Sequence, residues 1–300
     1  MNYQVFIQHM TPHTFHIPVL GLGYSIDTPV KVAKYGISSV VSIVDDELIE
    51  RMRIHYARRY HGDDRPISKT EPDYRSRRIT AYLDLMQHVV DEEFNALKLQ
   101  PFDQDSDIDR YFSLLPASSG LKHRYQKMLE MPGGPERDAE AIALRGCMTV
   151  GDIDVNIMSK VDKMNAGAGG NLPNDIDSDA LAALRGFASS KLSSSVVLSA
   201  GMNPRLYSYL ENFADFFPDE SGNFRKKVIL KVSDYRSALI QARFLAKKGI
   251  WVSEFRIESG LNCGGHAFAT EGNLLGPVLE EFKSRRTEMF TEILALTNRH

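Results

Sequence analysis

A short apolar run, a polar or glycine turn and an amphipathic helix follow one another repeatedly along this chain, and that recurrence constrains its fold more than any other feature. SVVLSA at Ser195 to Ala200 is the plainest copy: Gly201 follows, Asn203 can cap, Pro204 takes the first helical position, and helical spacing runs to Phe216. KVILKV, Lys227 to Val232, leads through Ser233 as cap into a helix over Tyr235 to Lys248. Asp154 to Ser159 (DVNIMS), a helix at Ala180 to Ser189, and a strand at Val252 to Glu258 repeat the order. Near the N-terminus, FHIPVLGLG (Phe15 to Gly23) reads as a strand. Thr28 as cap and Pro29 open a helix to about Tyr35, Gly36 ends it, and Ile37 to Val44 (ISSVVSIV) is the next strand. Asp45 and Asp46 then cap a helix that aligns Leu48, Ile49, Met52 and Tyr56.

Strands this continuously apolar are buried on both faces, which points to a parallel sheet. Successive βα units of this size predict an α/β fold, either a barrel or a doubly wound sheet. The reading adopted is a parallel (β/α)8 TIM-barrel type, with about six strands in this chain and the last two lying beyond it. Tyr60 to Gly146 breaks the rhythm. It opens on a polar, turn-rich stretch, then shows Leu83, Met86, Val90 and Leu97 at three- and four-residue steps. Further helical pieces lie near Ile108 to Leu115, Leu121 to Met131 and Glu136 to Leu144. This gives a barrel domain at 1–59 and 147–300 with a helical insertion at 60–146. A long last helix is expected from Gly276 to about Leu296.

A formal net charge of −3 with balanced charges gives no general attraction to nucleic acid or to an anionic membrane. No apolar run reaches the ~18 residues of a membrane-spanning helix, and MNYQVFIQHMTPHTFHIP lacks the build of a secretory signal. Two cysteines, Cys147 and Cys263, suit a reducing compartment. The expectation is a soluble cytoplasmic protein with a small-molecule substrate.

In parallel α/β folds, ligands gather where the strands end and the βα loops begin. There the chain places Gly21-Leu22-Gly23, Asn156, Ser199-Ala200-Gly201, Lys231 and the stretch Glu258 to His266. Gly21 and Gly23 let backbone approach a flat or anionic ligand, or simply make a tight turn. Asn156 is a polar amide in an apolar strand and needs partners, either ligand or neighbouring backbone. Lys231 is costly to bury unpaired; it offers a cation to a phosphate or a reduced cofactor, or it snorkels at the sheet rim. Gly264-Gly265 opens backbone conformations closed to other residues and either brings His266 toward a ligand as general base or polarising donor, or leaves it bonded to its neighbours' backbone. Cys263 reads as a small buried thiol. No cluster has metal-ligand spacing, and His9, His13 and His16 read as surface residues. The arginines at 51, 53, 58, 59, 75, 77 and 78, interspersed with acids, read as a solvated, salt-bridged surface.

The stretch IESGLNCGGHAF, with Gly260, Cys263, Gly264, Gly265 and His266, resembles the loop after strand six in the nitronate monooxygenase (2-nitropropane dioxygenase-like) and FMN-dependent enoyl reductase group. VILKVSDYRSA is similar to that family's fifth strand and following helix, GLGYSIDTPVKVAKYG to its first βα unit, and DIDVNIM to its Asn-bearing third strand. The family's Gln in the strand-six loop is Ser259 here, and its phosphate-gripping loops follow strands seven and eight, outside the six counted above. The resemblance implies a TIM-barrel flavoprotein that holds FMN and oxidises or reduces a small organic substrate, as a monooxygenase or an enoyl reductase does. It implies that His266 faces the flavin's reactive edge, with Gly21, Gly23, Asn156, Lys231, Gly264 and Gly265 as cofactor contacts. Two alternatives stand beside it: a non-redox lyase or isomerase using His266 and Glu258, and a non-catalytic interaction module.

Overall fold

The computed structural model describes residues 12–19, 25–43, 45–159, 162–164, 177–199, 201–258 and 275–299. Five strands form one sheet in the order β1-β2-β3-β4-β5: β1 is Ser39–Ser42, β2 Ile153–Met158, β3 Ser195–Ser199, β4 Lys227–Val232 and β5 Val252–Ile257. The pairings of β2 with β3, β3 with β4 and β4 with β5 are parallel. Each strand therefore neighbours its predecessor in the chain, with no reversal of order among the described strands. Of the first expected strand, Ile17 forms an isolated parallel bridge to Ser39, and residues 20–24 lie outside the described residues.

The helices are α1 (Thr28–Val32), α2 (Asp46–Arg59), α3 (Tyr74–Lys98), α4 (Asp107–Ser113), α5 (Gly120–Glu130), α6 (Pro135–Gly146), α7 (Asp179–Ser189), α8 (Pro204–Tyr209), α9 (Tyr235–Ala246) and α10 (Leu275–Thr297). Expected caps hold where a side-chain oxygen reaches a free N–H. Asp45 accepts from Leu48 N at 3.0 Å, and Asn203 accepts from Arg205 N and Leu206 N, both at 3.1 Å. Two caps fall one residue away from their expected places. Asp27 rather than Thr28 precedes α1, its carboxylate engaged by Lys31. Asp234 rather than Ser233 caps α9, because the carboxylate reaches Ser237 N at 2.7 Å. After α8 the chain continues only as two short 3-10 turns to Phe216.

The chain divides into two compact units, Met1–Val41 with Leu85–Ile153 and Ser42–Asp84 with Asp154–His300, whereas the sequence reading drew its limits at 60 and 146. In the first unit, α4, α5 and α6 bury Tyr111, Phe112, Tyr125 and Leu144 together with Tyr35 and Ile37 from the N-terminal segment. Phe112 stacks on Tyr125 at 4.6 Å, and the Tyr111 hydroxyl donates to Thr149 O at 3.1 Å. Gly36 has φ +76 and closes α1's turn against Pro12 and Thr149. His13 is a correction to the surface reading: it is 3% exposed, with Nε2 3.0 Å from Tyr35 O. Burial pulls its pKa below the ordinary imidazole value.

In the second unit, α9 packs against β4 and β5, and α10 packs on α9. Tyr235 of α9 and Phe255 of β5 both meet Phe282 of α10. The arginine cluster corrects a second reading. Arg53 and Arg78 are buried: Arg53 binds Glu50 at 2.8 Å and the carbonyls of Asp63 and Arg65, while Arg78 binds Asp46 at 2.8 Å and Ile67 O. These guanidiniums satisfy the carbonyls of a 60s loop that has no regular structure of its own. Sequence could not separate them from exposed Arg51, Arg58, Arg59 and Arg77, because both sets sit among the same acids.

Candidate functional site

The strand registers sort side chains onto two unlike faces. Val155, Ile157, Val196, Leu198, Val228, Leu230, Phe255 and Ile257 share one face, which is wholly apolar and meets the helices. The other face carries Asp154, Asn156 and Met158 from β2, Ser195, Val197 and Ser199 from β3, Lys227, Ile229 and Lys231 from β4, and Glu254 and Arg256 from β5, so its polar groups flank an apolar centre at Val197 and Ile229. Period-two alternation in IDVNIM and SEFRIE alone creates this contrast.

Arg256 shows how the polar face is shaped. Its Nη2 donates to Asp154 Oδ2 at 2.7 Å, spanning from β5 to β2 over two intervening strands. Those strands lie about 14 Å apart in a flat sheet, and side chains stand perpendicular to it. The contact closes because the sheet curls with its polar face inward. Arg256 Nε also donates to Glu254 Oε1 at 2.6 Å, and Asp154 Oδ1 accepts from Ser195 N at 3.2 Å. Complete burial pulls the Asp154 carboxyl above the ordinary carboxylate range, with Arg256 pulling it back. Burial works against the charge on Arg256, but Asp154 and Glu254 more than offset it and hold the guanidinium ionised.

At the C-terminal ends, the Lys231 Nζ lies 2.9 Å from Glu258 Oε1, both side chains mostly covered. Lys231 is thus part of an ion pair, neither a free cation nor a snorkelling one. Asn203 Nδ2 donates to Ser159 O and Asp162 Oδ2 at 3.1 Å each, tying the end of β2 to the start of α8. The Ser159 hydroxyl donates to Ser199 O at 2.6 Å and to Gly201 O, joining the tips of β2 and β3.

Asn156 is 1% exposed on this face, and among the described residues its Oδ1 has no hydrogen-bond partner; neither have Arg256 Nη1 and Ser42 Oγ. The structure thus gathers two of the expected residues, Asn156 and Lys231, on one curled face. Gly21, Gly23, Gly264, Gly265 and His266, with Cys263, lie outside the described residues. Asp154 and Arg256 were not foreseen as a pair. The signal was present in the alternation of charges along β2 and β5, but their meeting across two strands has no trace in either segment. No group of three or more His, Cys, Asp or Glu side chains among the described residues is arranged to hold a metal ion. No helix among them is long and apolar enough to cross a membrane. Comparison with protein-family models, curated proteins and solved structures finds no match to this chain.

Proposed function

We propose that this chain is a cytoplasmic FMN-dependent oxidoreductase of the nitronate monooxygenase type, on a (β/α)8 barrel scaffold, acting on a small organic substrate at the C-terminal ends of the strands. Two features support the barrel over a doubly wound sheet. Strand order never reverses, so right-handed crossovers keep the helices on one face, and the sheet curls about a polar interior.

The observation that carries the cofactor is the buried Asn156 carboxamide oxygen without a partner, which suits an N–H of the flavin's pyrimidine ring. Lys231 would stand near the flavin as half of a pair with Glu258, and Gly264 and Gly265 would lend backbone N–H groups. His266 would take a substrate proton or polarise a carbonyl or nitro oxygen. Bound flavin supplies the hydride or electron transfer, while the protein binds, orients and excludes water.

An absorbance spectrum of the purified protein, followed by titration with FMN, tests the reading. A flavin spectrum, or saturable uptake of added FMN, is expected. His266→Ala should lower turnover while flavin stays bound. A colourless protein that takes up no FMN overturns the proposal. The Lys231–Glu258 contact at 2.9 Å favours one second reading, a non-redox lyase or isomerase that moves a proton at the strand tips. Turnover of an anionic metabolite by colourless protein, lost in Glu258→Gln, would support it.

A further inference from the structure

The segment that follows β2 is clasped from two sides. Asp162 Oδ1 accepts from Ala180 N and its Oδ2 from Asn203 Nδ2, both at 3.1 Å, and Lys163 O accepts from Asp179 N at 3.0 Å. Met164 then makes an isolated antiparallel bridge to Ser178, the cap of α7. These bonds hold the backbone beside the C-terminal tips of β2 and β3, while the Met164 side chain stands outward. At 39% it is the most exposed methionine among the described residues. Met86, Met128, Met148 and Met289 are buried, and Met52, Met131, Met158 and Met202 are half-buried.

Arg205, in the first turn of α8, directs both Nη1 and Nη2 at Met164 Sδ, each at 3.5 Å. The guanidinium fork suits an oxygen carrying concentrated negative charge, whereas a thioether sulfur is a weak acceptor. Among the described residues no carboxylate pairs with Arg205, so a strong cationic donor faces a poor acceptor. Adding one oxygen to the sulfur removes that mismatch. A sulfoxide is polar, and its oxygen accepts charge-assisted hydrogen bonds of about twice the strength of neutral ones. Both side chains are exposed, so the guanidinium can withdraw to make room for the oxygen.

We propose that Met164 is a modification site for hydrogen peroxide, and that Arg205 receives the sulfoxide oxygen and latches the segment after β2 to α8. A sulfur lone pair attacks one peroxide oxygen, and the S–O bond forms as the O–O bond breaks. The proton of the transferred oxygen goes to the departing hydroxide, which leaves as water; sulfur is oxidised and peroxide reduced. A thiol-dependent methionine sulfoxide reductase restores the thioether. The site does not rest on the flavoenzyme reading, since any source of peroxide supplies the oxidant.

Brief treatment of the 300-residue protein with dilute hydrogen peroxide, followed by peptide mass spectrometry and amide hydrogen exchange, tests it. Met164 should take up one oxygen before any other methionine among the described residues. Exchange across 162–164 and the first turn of α8 should then slow about fivefold or more. Arg205→Ala should abolish that slowing while Met164 still oxidises, and Met164→Leu should make exchange there indifferent to peroxide. Slower oxidation of Met164 than of Met52, Met131, Met158 or Met202 overturns the site. Unchanged or faster exchange after oxidation, or slowing that persists in Arg205→Ala or Met164→Leu, overturns the latch.

Discussion

Lys226 is 0% exposed, yet its ammonium is fully coordinated: Nζ donates to Phe187 O and Ser190 O at 2.9 Å each and to Leu192 O at 2.7 Å, with the Phe187 ring 4.4 Å away. A single cation therefore closes the C-terminal end of α7 and the turn after it, where helix carbonyls lack intrahelical partners. Lys226→Met should destabilise the protein by about 2–5 kcal/mol, read by urea unfolding, because three carbonyls lose their donor at once. Burial pushes the Lys226 pKa down to about 8 from 10.5. Above pH 8 the folded state releases this proton before the unfolded chain does, so Lys226 makes stability rise with pH between about 8 and 10.5. The wild type should show that upward component and Lys226→Met should lack it; identical pH profiles would remove Lys226 as the source. In the sequence, KKVILKV gave no reason to separate Lys226 from Lys227 or Lys231, since burial of one lysine among three is decided by neighbours distant in the chain.

At the scale of elements, α7 and α3 approach so closely that a Cβ on Gly186 would lie 2.5 Å from Ile79 Cγ2 and 3.0 Å from Ser76 O. The Thr80 hydroxyl donates across the same contact to Gly186 O at 3.0 Å. Gly186→Ala should therefore destabilise by about 1–3 kcal/mol despite alanine's better helix propensity. Adding Ile79→Ala opens the space, so the two changes should couple by about 1 kcal/mol or more in a double-mutant cycle. Strict additivity would show that the helices simply part. Element existence and type were readable here, because caps, Pro29, Pro204 and the apolar periods are local signals. The partner of each helix was not, since Gly186 in a helical pattern reads equally as a tolerated defect.

At the scale of the whole molecule, the curl of the sheet is held on its polar face by Asp154 and Arg256. Asp154→Ala leaves a buried guanidinium with one fewer carboxylate and should cost about 3–5 kcal/mol. Asp154→Leu combined with Arg256→Met should recover most of that loss. If the single change were harmless, the pair would not hold the curl.

What the sequence determined alone is the alternation. Parallel βα grammar, apolar strands in chain order and the polar positions at Asn156 and Lys231 all follow from period and composition, which are properties of neighbouring residues. Tertiary structure decided which polar residues meet. It bound Lys231 to Glu258, carried Arg256 across two strands to Asp154, drew Arg53 and Arg78 inward while leaving Arg51 and Arg58 outside, and buried His13 beneath Tyr35. The reason is physical: a charge is stabilised by whatever lies within a few ångströms, and those neighbours come from segments that the local pattern of the chain does not connect.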